Sequence, residues 1–216
     1  MRDYLLDKFK FSLYIILDPH FIGQRDLLRT CLDIITGGVD IIQYRDKSAS
    51  DKKFFKNTRL IYDITKDNNI PLIVNDRIHI ASEIGTEGVH LGASDISLTE
   101  ARKIFGKDKI IGFSVHNMDE FNSSQEADYL GIGSIFPSKT KKSVNVCGLE
   151  FLKRIRKKTS KPLIGIGGIN SGNFLDVINN GADGIALISS IFTSTNVVTK
   201  VKEFSRRLNK RRSSND

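Results

Sequence analysis

Two aspartates and two cations stand directly after short apolar runs in this sequence: Asp76 and Asp95, Arg45 and Lys47. Carboxylates at the ends of neighbouring strands, about 4.8 Å apart, can approach one divalent cation. Magnesium takes one or two such carboxylates and completes its shell with water and phosphate oxygens. The same positions also suit helix N-caps, because each aspartate precedes a helical pattern. Arg45 and Lys47 alternate along one strand end and point the same way as Gln43. Arginine offers a bidentate fork to phosphate and lysine a mobile point charge. A further cationic stretch, "IFPSKTKKSVN" (135–145), follows an apolar run with a proline, two hydroxyls and three lysines within a few residues. Its Lys141 falls almost opposite Arg45 and Lys47, so the two sides suit a polyphosphate.

Two glycine-rich stretches, "GIGGIN" and "GADGIALISS", fit a second, monophosphate site, since glycine lets backbone N–H groups approach an anion closely. They also fit plain tight turns. His116 lies among these polar groups, and substrate contact or packing suits it better than proton transfer, because no nearby carboxylate motif orients it. His20, His79 and His90 lack metal-ligand spacing.

Something must hold these groups on one rim. Short β-branched runs recur at 12–18, 39–45, 71–76, 88–92, 110–116, 129–136, 162–168 and 184–189. Between them, segments such as "DLLRTCLDIITGG" and "SLTEARKIFG" place apolar residues three and four apart, as one-sided helices do. Eight strands alternating with helices predict a single-domain α/β protein, a parallel (β/α)8 TIM barrel. An open doubly wound sheet is the competitor, and the absence of G-x-G-x-x-G after the first strand counts against it. In a barrel the functional face lies at the carboxyl ends of the strands. That collects Gln43, Arg45, Lys47, Asn75, Asp76, Asp95, Ser114, Ser138, Thr140, Lys141, Gly168, Ile188 and Ser189.

The 216 residues, 39% hydrophobic, suffice for one core of this kind. The expected layout is an N-terminal lead at 1–11, a barrel at 12–205 and a basic tail at 206–216. Net charge is +8, of which residues 197–216 carry +5, so the rest holds only +3. That distribution argues against nucleic acid as the partner. Cys31 and Cys147 are far apart and lack metal spacing, which suits a reducing, cytoplasmic setting. No secretory signal or membrane span is expected. Homo-oligomerisation stays open.

Taken together, "IIQYRDK", "LIVNDR", "GVHLGASD", "GFSVHN", "YLGIGSIFPSKTKK" and "LIGIGGIN" followed by "GADGIALISSI" resemble the successive motifs of the thiamine phosphate synthase family over about residues 12–192. The resemblance implies a transferase that joins 4-amino-2-methyl-5-hydroxymethylpyrimidine diphosphate to 4-methyl-5-(2-hydroxyethyl)thiazole phosphate and releases pyrophosphate. It implies Mg2+ on Asp76 and Asp95, and the diphosphate on Arg45, Lys47, Asn75 and Lys141. Gln43 and Ser114 would meet the pyrimidine or its leaving group. Ser138, Thr140, Gly168, Ile188 and Ser189 would hold the thiazole phosphate. Ser138 stands where the family often has threonine, Tyr44 where it often has leucine, and the segment after Lys142 diverges. The rivals are a thiazole tautomerase of the same fold, in which His116 would be central, and a non-catalytic regulatory barrel.

Overall fold

A computed structural model of the chain describes residues 2–137 and 146–213. Eight parallel strands close in chain order: β1 Ser12–Leu17, β2 Ile41–Tyr44, β3 Leu72–Asn75, β4 Gly88–Leu91, β5 Ile110–Val115, β6 Tyr129–Ile132, β7 Leu163–Ile166 and β8 Gly184–Leu187. β8 pairs with β1, and no edge remains exposed. Each strand sits inside its apolar run and is mostly shorter. In the longest run, 129–136, the ladder assignment stops at Ile132, while Ile135 and Phe136 bond the carbonyls of Ile166 and Gly167 beyond it.

Several helices begin where a side chain caps them. Asp26 accepts from Arg29 N ahead of helix Leu27–Thr36, and Ser50 accepts from Lys53 N ahead of Asp51–Asp67. Ser97 and Glu100 form a reciprocal capping box at Leu98–Phe105. Their apolar stripes, for example Cys31 and Ile34 or Phe54 and Ile61, bury against the outer face of the sheet.

An acidic collar closes the amino-terminal face. Asp40, Glu87, Asp128 and Asp183 each immediately precede or adjoin an even-numbered strand. Each accepts a backbone N–H from the odd strand before it: Leu13 N at 2.8 Å, Leu72 N at 2.9 Å, Ile111 N at 2.7 Å and Leu163 N at 2.7 Å. Donors at the open end of the ladder are thereby satisfied. Arginines neutralise three of the four: Arg212 on Asp40, Arg2 and Arg102 on Asp128, and Arg156 on Asp183.

Inside the barrel, Tyr14, Ile16, Ile41, Ile73, Ile110, Tyr129, Ile164 and Ala186 form one cluster with Leu5 and Phe9. Residues 2–11 thus differ from a plain lead. Helix Arg2–Asp7 and Phe9 plug the bottom of the barrel, with Phe9 stacked 4.4 Å from the Tyr129 ring. The carboxyl-terminal end differs from a plain tail in the same way. Helix Val197–Arg212 runs on through residues 206–212, because Leu208 is buried and Arg212 bonds both Phe11 O and Asp40. Among the described residues, no helix is long and apolar enough to cross a membrane.

Candidate active site

The carboxyl ends of the strands surround a cavity of about 810 Å³. Period-two alternation aims Gln43, Asn75 and Ser114 into it, while the residues just beyond the strands, Arg45, Lys47, Asp76 and Asp95, form its rim. Gly168, Ile188 and Ser189 line the opposite side. Ten residues singled out from sequence therefore share one wall-to-wall space. Ser138, Thr140 and Lys141 lie outside the described residues.

Asp76 and Asp95 are not helix caps. The helix after Asp76 begins at Ile78 with Arg77 in the cap position, and the helix after Asp95 is capped by Ser97. Asp76 instead adopts a left-handed backbone with φ 62°, rare for a residue with a side chain. Burial, and then the neighbouring Asp95 charge, push its carboxyl above the ordinary carboxylate range, against the pull of Lys47. Lys47 Nζ stands 3.5 Å from Asp76. Asp95 is fixed by Gly92 N, which donates to its Oδ2 at 2.7 Å. Two adjacent carboxylates in mutual repulsion suit a hard divalent cation. Among the described residues no group of three or more His, Cys, Asp or Glu could hold a metal.

Arg45 is held from behind. Its guanidinium pairs with the buried carboxylate of Asp18, whose other oxygen caps the helix at Pro19 by accepting from His20 N at 2.9 Å. Across the cavity, Gly167 and Gly168 both have positive φ, 96° and 66°. A Cβ on Gly168 would fall 2.6 Å from Pro137 O and 2.7 Å from Phe136 Cβ, so only glycine lets the loop after β7 lie against the loop after β6.

A family model described as thiamine monophosphate synthase matches residues 13–191. The chain belongs to this family. It is 44% identical over 190 residues to a thiamine-phosphate synthase of Clostridium botulinum, spanning 87% of this chain and 93% of that protein. It is 37% identical over 194 residues to one from Persephonella marina, spanning 89% and 93%. A solved thiamine phosphate pyrophosphorylase from Pyrococcus furiosus superposes with a TM-score of 0.85 at 30% identity, covering 94% of this chain and 98% of that one. As a member of the thiamine monophosphate synthase family the chain is an enzyme, a transferase.

The structure shows partners that spacing alone did not reveal. His116 does have an orienting carboxylate: Glu120, one helical turn on, accepts from His116 N at 2.6 Å and lies 2.9 Å from its Nδ1. The i, i+4 spacing was the available signal. Asp18 was hidden as the last letter of the first apolar run. His90 sits deep in the cavity wall, its imidazole pulled down to about 4 by burial, so it is neutral across the physiological range. Tyr14 and Tyr129, buried beneath it, are held protonated by desolvation. These three sit at inward positions of otherwise apolar strands, where a polar residue in phase with the core is itself a signal.

Proposed function

We propose that the chain forms thiamine phosphate by joining 4-amino-2-methyl-5-hydroxymethylpyrimidine diphosphate to 4-methyl-5-(2-hydroxyethyl)thiazole phosphate, with loss of pyrophosphate. The observation that carries this reading is the single cavity with a cation-and-carboxylate rim on one side and a glycine-built loop on the other. That arrangement suits one substrate with a diphosphate and another with a monophosphate.

Asp76 and Asp95 would hold Mg2+, which would neutralise diphosphate oxygens as the C–O bond breaks. Arg45, preset by Asp18, and Lys47, mobile and 64% exposed at its side chain, would bind the leaving diphosphate together with Asn75. Gln43 and Ser114 would orient the pyrimidine. Gly168, Ile188, Ser189 and, beyond the described residues, Ser138 and Thr140 would place the thiazole phosphate, while Lys141, also beyond them, would join the groups that hold the diphosphate. The thiazole nitrogen attacks with a free lone pair and carries no proton, so the site needs orientation and leaving-group stabilisation rather than a general base.

Pyrophosphate release by the purified chain should require both substrates and Mg2+, with thiamine phosphate formed in equal amount. Asp95→Ala should abolish Mg2+-dependent turnover, and unchanged activity at limiting Mg2+ would remove the metal assignment. The His116–Glu120 pair favours one second reading, proton transfer on a thiazole tautomer. Conversion of such a tautomer without coupling, lost in His116→Ala, would decide for it.

A further inference from the structure

Five side chains form one continuous hydrogen-bonded string across the inside of the barrel. Gln43 Nε2 donates to Tyr14 Oη at 2.8 Å, and the Tyr14 and Tyr129 hydroxyls meet at 2.9 Å. Tyr129 Oη lies 2.9 Å from His90 Nδ1, and His90 Nε2 lies 3.0 Å from Ser114 Oγ. Its two ends, Gln43 and Ser114, face the cavity. In its middle, Tyr14 and Tyr129 are almost fully withdrawn from solvent, while His90 is half-buried in the cavity wall. The barrel is cut to fit it. A Cβ on Gly112 would fall 2.2 Å from Tyr129 Cζ and 2.5 Å from His90 Nδ1, and one on Gly131 would come within 3.1 Å of His90 Cε1.

Each hydroxyl in this string owns one hydrogen and the neutral imidazole owns one N–H. Once Gln43 gives its N–H to Tyr14, the direction of every later bond follows. Tyr14 donates to Tyr129, Tyr129 donates to His90 Nδ1, and His90 Nε2–H donates to Ser114 Oγ. The Ser114 hydrogen is then free to point into the cavity, which the carbonyl oxygen of Gln43 also faces. Reversing any single bond would leave an O–H without an acceptor in the barrel interior, which low dielectric makes costly. Only reversal of the whole string, Gln43 amide included, satisfies every group again. In either sense, a donor at one end is tied to an acceptor at the other.

We propose that Tyr14, Tyr129 and His90 are positioning residues for the pyrimidine, locking Ser114 as a hydrogen-bond donor and Gln43 as an acceptor. The lock matches the edge of a 4-aminopyrimidine, on which an amino N–H donor adjoins a ring-nitrogen acceptor. A 4-oxopyrimidine presents the reverse order and is matched only after the whole string reverses, Gln43 amide included. This deepens the proposed function and rests on its assignment of Gln43 and Ser114 to the pyrimidine.

Tyr129→Phe and Tyr14→Phe each remove one hydroxyl and keep the ring, cutting the string at different places. For each, kcat/KM with the 4-amino diphosphate should fall about tenfold or more, and its ratio to that with the 4-oxo analogue should shrink by a similar factor. Because both cuts release the same lock, the double variant should discriminate no worse than either single one, whereas two unrelated packing defects would add. Nitrogen-15 NMR of the wild-type imidazoles at neutral pH should show His90 as the Nε2–H tautomer, and Tyr129→Phe should disturb that signal. A His90 Nδ1–H tautomer in the wild type, or an unchanged substrate ratio in both variants, would overturn the proposal while leaving the coupling reaction intact. A wild type that couples neither pyrimidine would overturn the substrate assignment beneath it. The NMR result, which needs no turnover, tells that failure apart.

Discussion

Replacing Asp76 with asparagine should make the metal-free protein more stable while removing its metal-dependent activity. Asp76 holds φ 62°, a conformation that asparagine adopts readily. Its carboxyl adjoins that of Asp95 and is 28% exposed, with Lys47 3.5 Å away as a counter-charge. Two unit charges about 4 Å apart repel by about 4 kcal/mol at an effective dielectric near 20. Solvent and the mobile Lys47 screen most of that at an exposed rim. A net gain of about 1 kcal/mol remains, or about 2–4 °C in Tm for a chain of this size. The sign with pH is fixed by the raised native pKa. The wild type carries the penalty in full above that pKa and sheds it as pH falls through it, so the gain should shrink on acidification. Scanning calorimetry in chelator, from neutral pH down through the carboxylate range, reads both effects. Added Mg2+ should raise the Tm of the wild type and leave Asp76→Asn unmoved. A variant that melts at or below the wild type at the alkaline end, or a gain indifferent to pH, would refute the reasoning.

Asp18→Ala should lose about 2–4 kcal/mol in denaturant titration, because it strands Arg45 and removes a helix cap. Asp18→Asn should recover about 1 kcal/mol of this through the cap to His20 N. Gly112→Ala should cost about 3 kcal/mol, since its Cβ has no room beside Tyr129 and His90. Gly106→Ala, with nothing within 4 Å but φ 76°, should cost about 1 kcal/mol by the same titration. Leu208→Ala should cost about 2–4 kcal/mol, and deletion of residues 206–216 at least as much; an unchanged Tm after the deletion would show that the last helical turns hold nothing.

The barrel was legible because a parallel strand buried on both faces reads as an apolar run whatever its neighbours are. Val74, Leu91 and Leu130 pack outward under helices while Ile73, Ile110 and Tyr129 pack inward, so no alternation interrupts the signal. The ends of the chain were less legible. "RDYLLDKFKF" interleaves its apolar residues with charges, and their burial depends on an open barrel bottom of matching width, which no local pattern encodes. Helix Val197–Arg212 hides its last turns among cations for a similar reason: Arg212 stands at a helix end, and its partner Asp40 lies 172 residues away.

The rim followed from topology, since a polar residue closing a barrel strand has one place to go. What sequence withheld was pairing. Periodicity gives each side chain a direction but not the opposite number it meets across the barrel. Asp18 reaches Arg45 only because β1 pairs β2 in a register that sets Leu17 beside Tyr44. The same holds for the interior string: Tyr14, Gln43, His90, Ser114 and Tyr129 come from five different strands and meet only after closure. The two glycines that make room for them, Gly112 and Gly131, look in sequence like interruptions of good strands. Glycine at an inward position, one strand away from a polar inward residue, therefore marks where a barrel core has been hollowed to seat a hydrogen-bonded group. Gly112→Ala tests that rule directly: steric loss alone predicts a less stable enzyme with unchanged preference for the 4-amino substrate, whereas displacement of Tyr129 and His90 predicts that the preference falls with the stability.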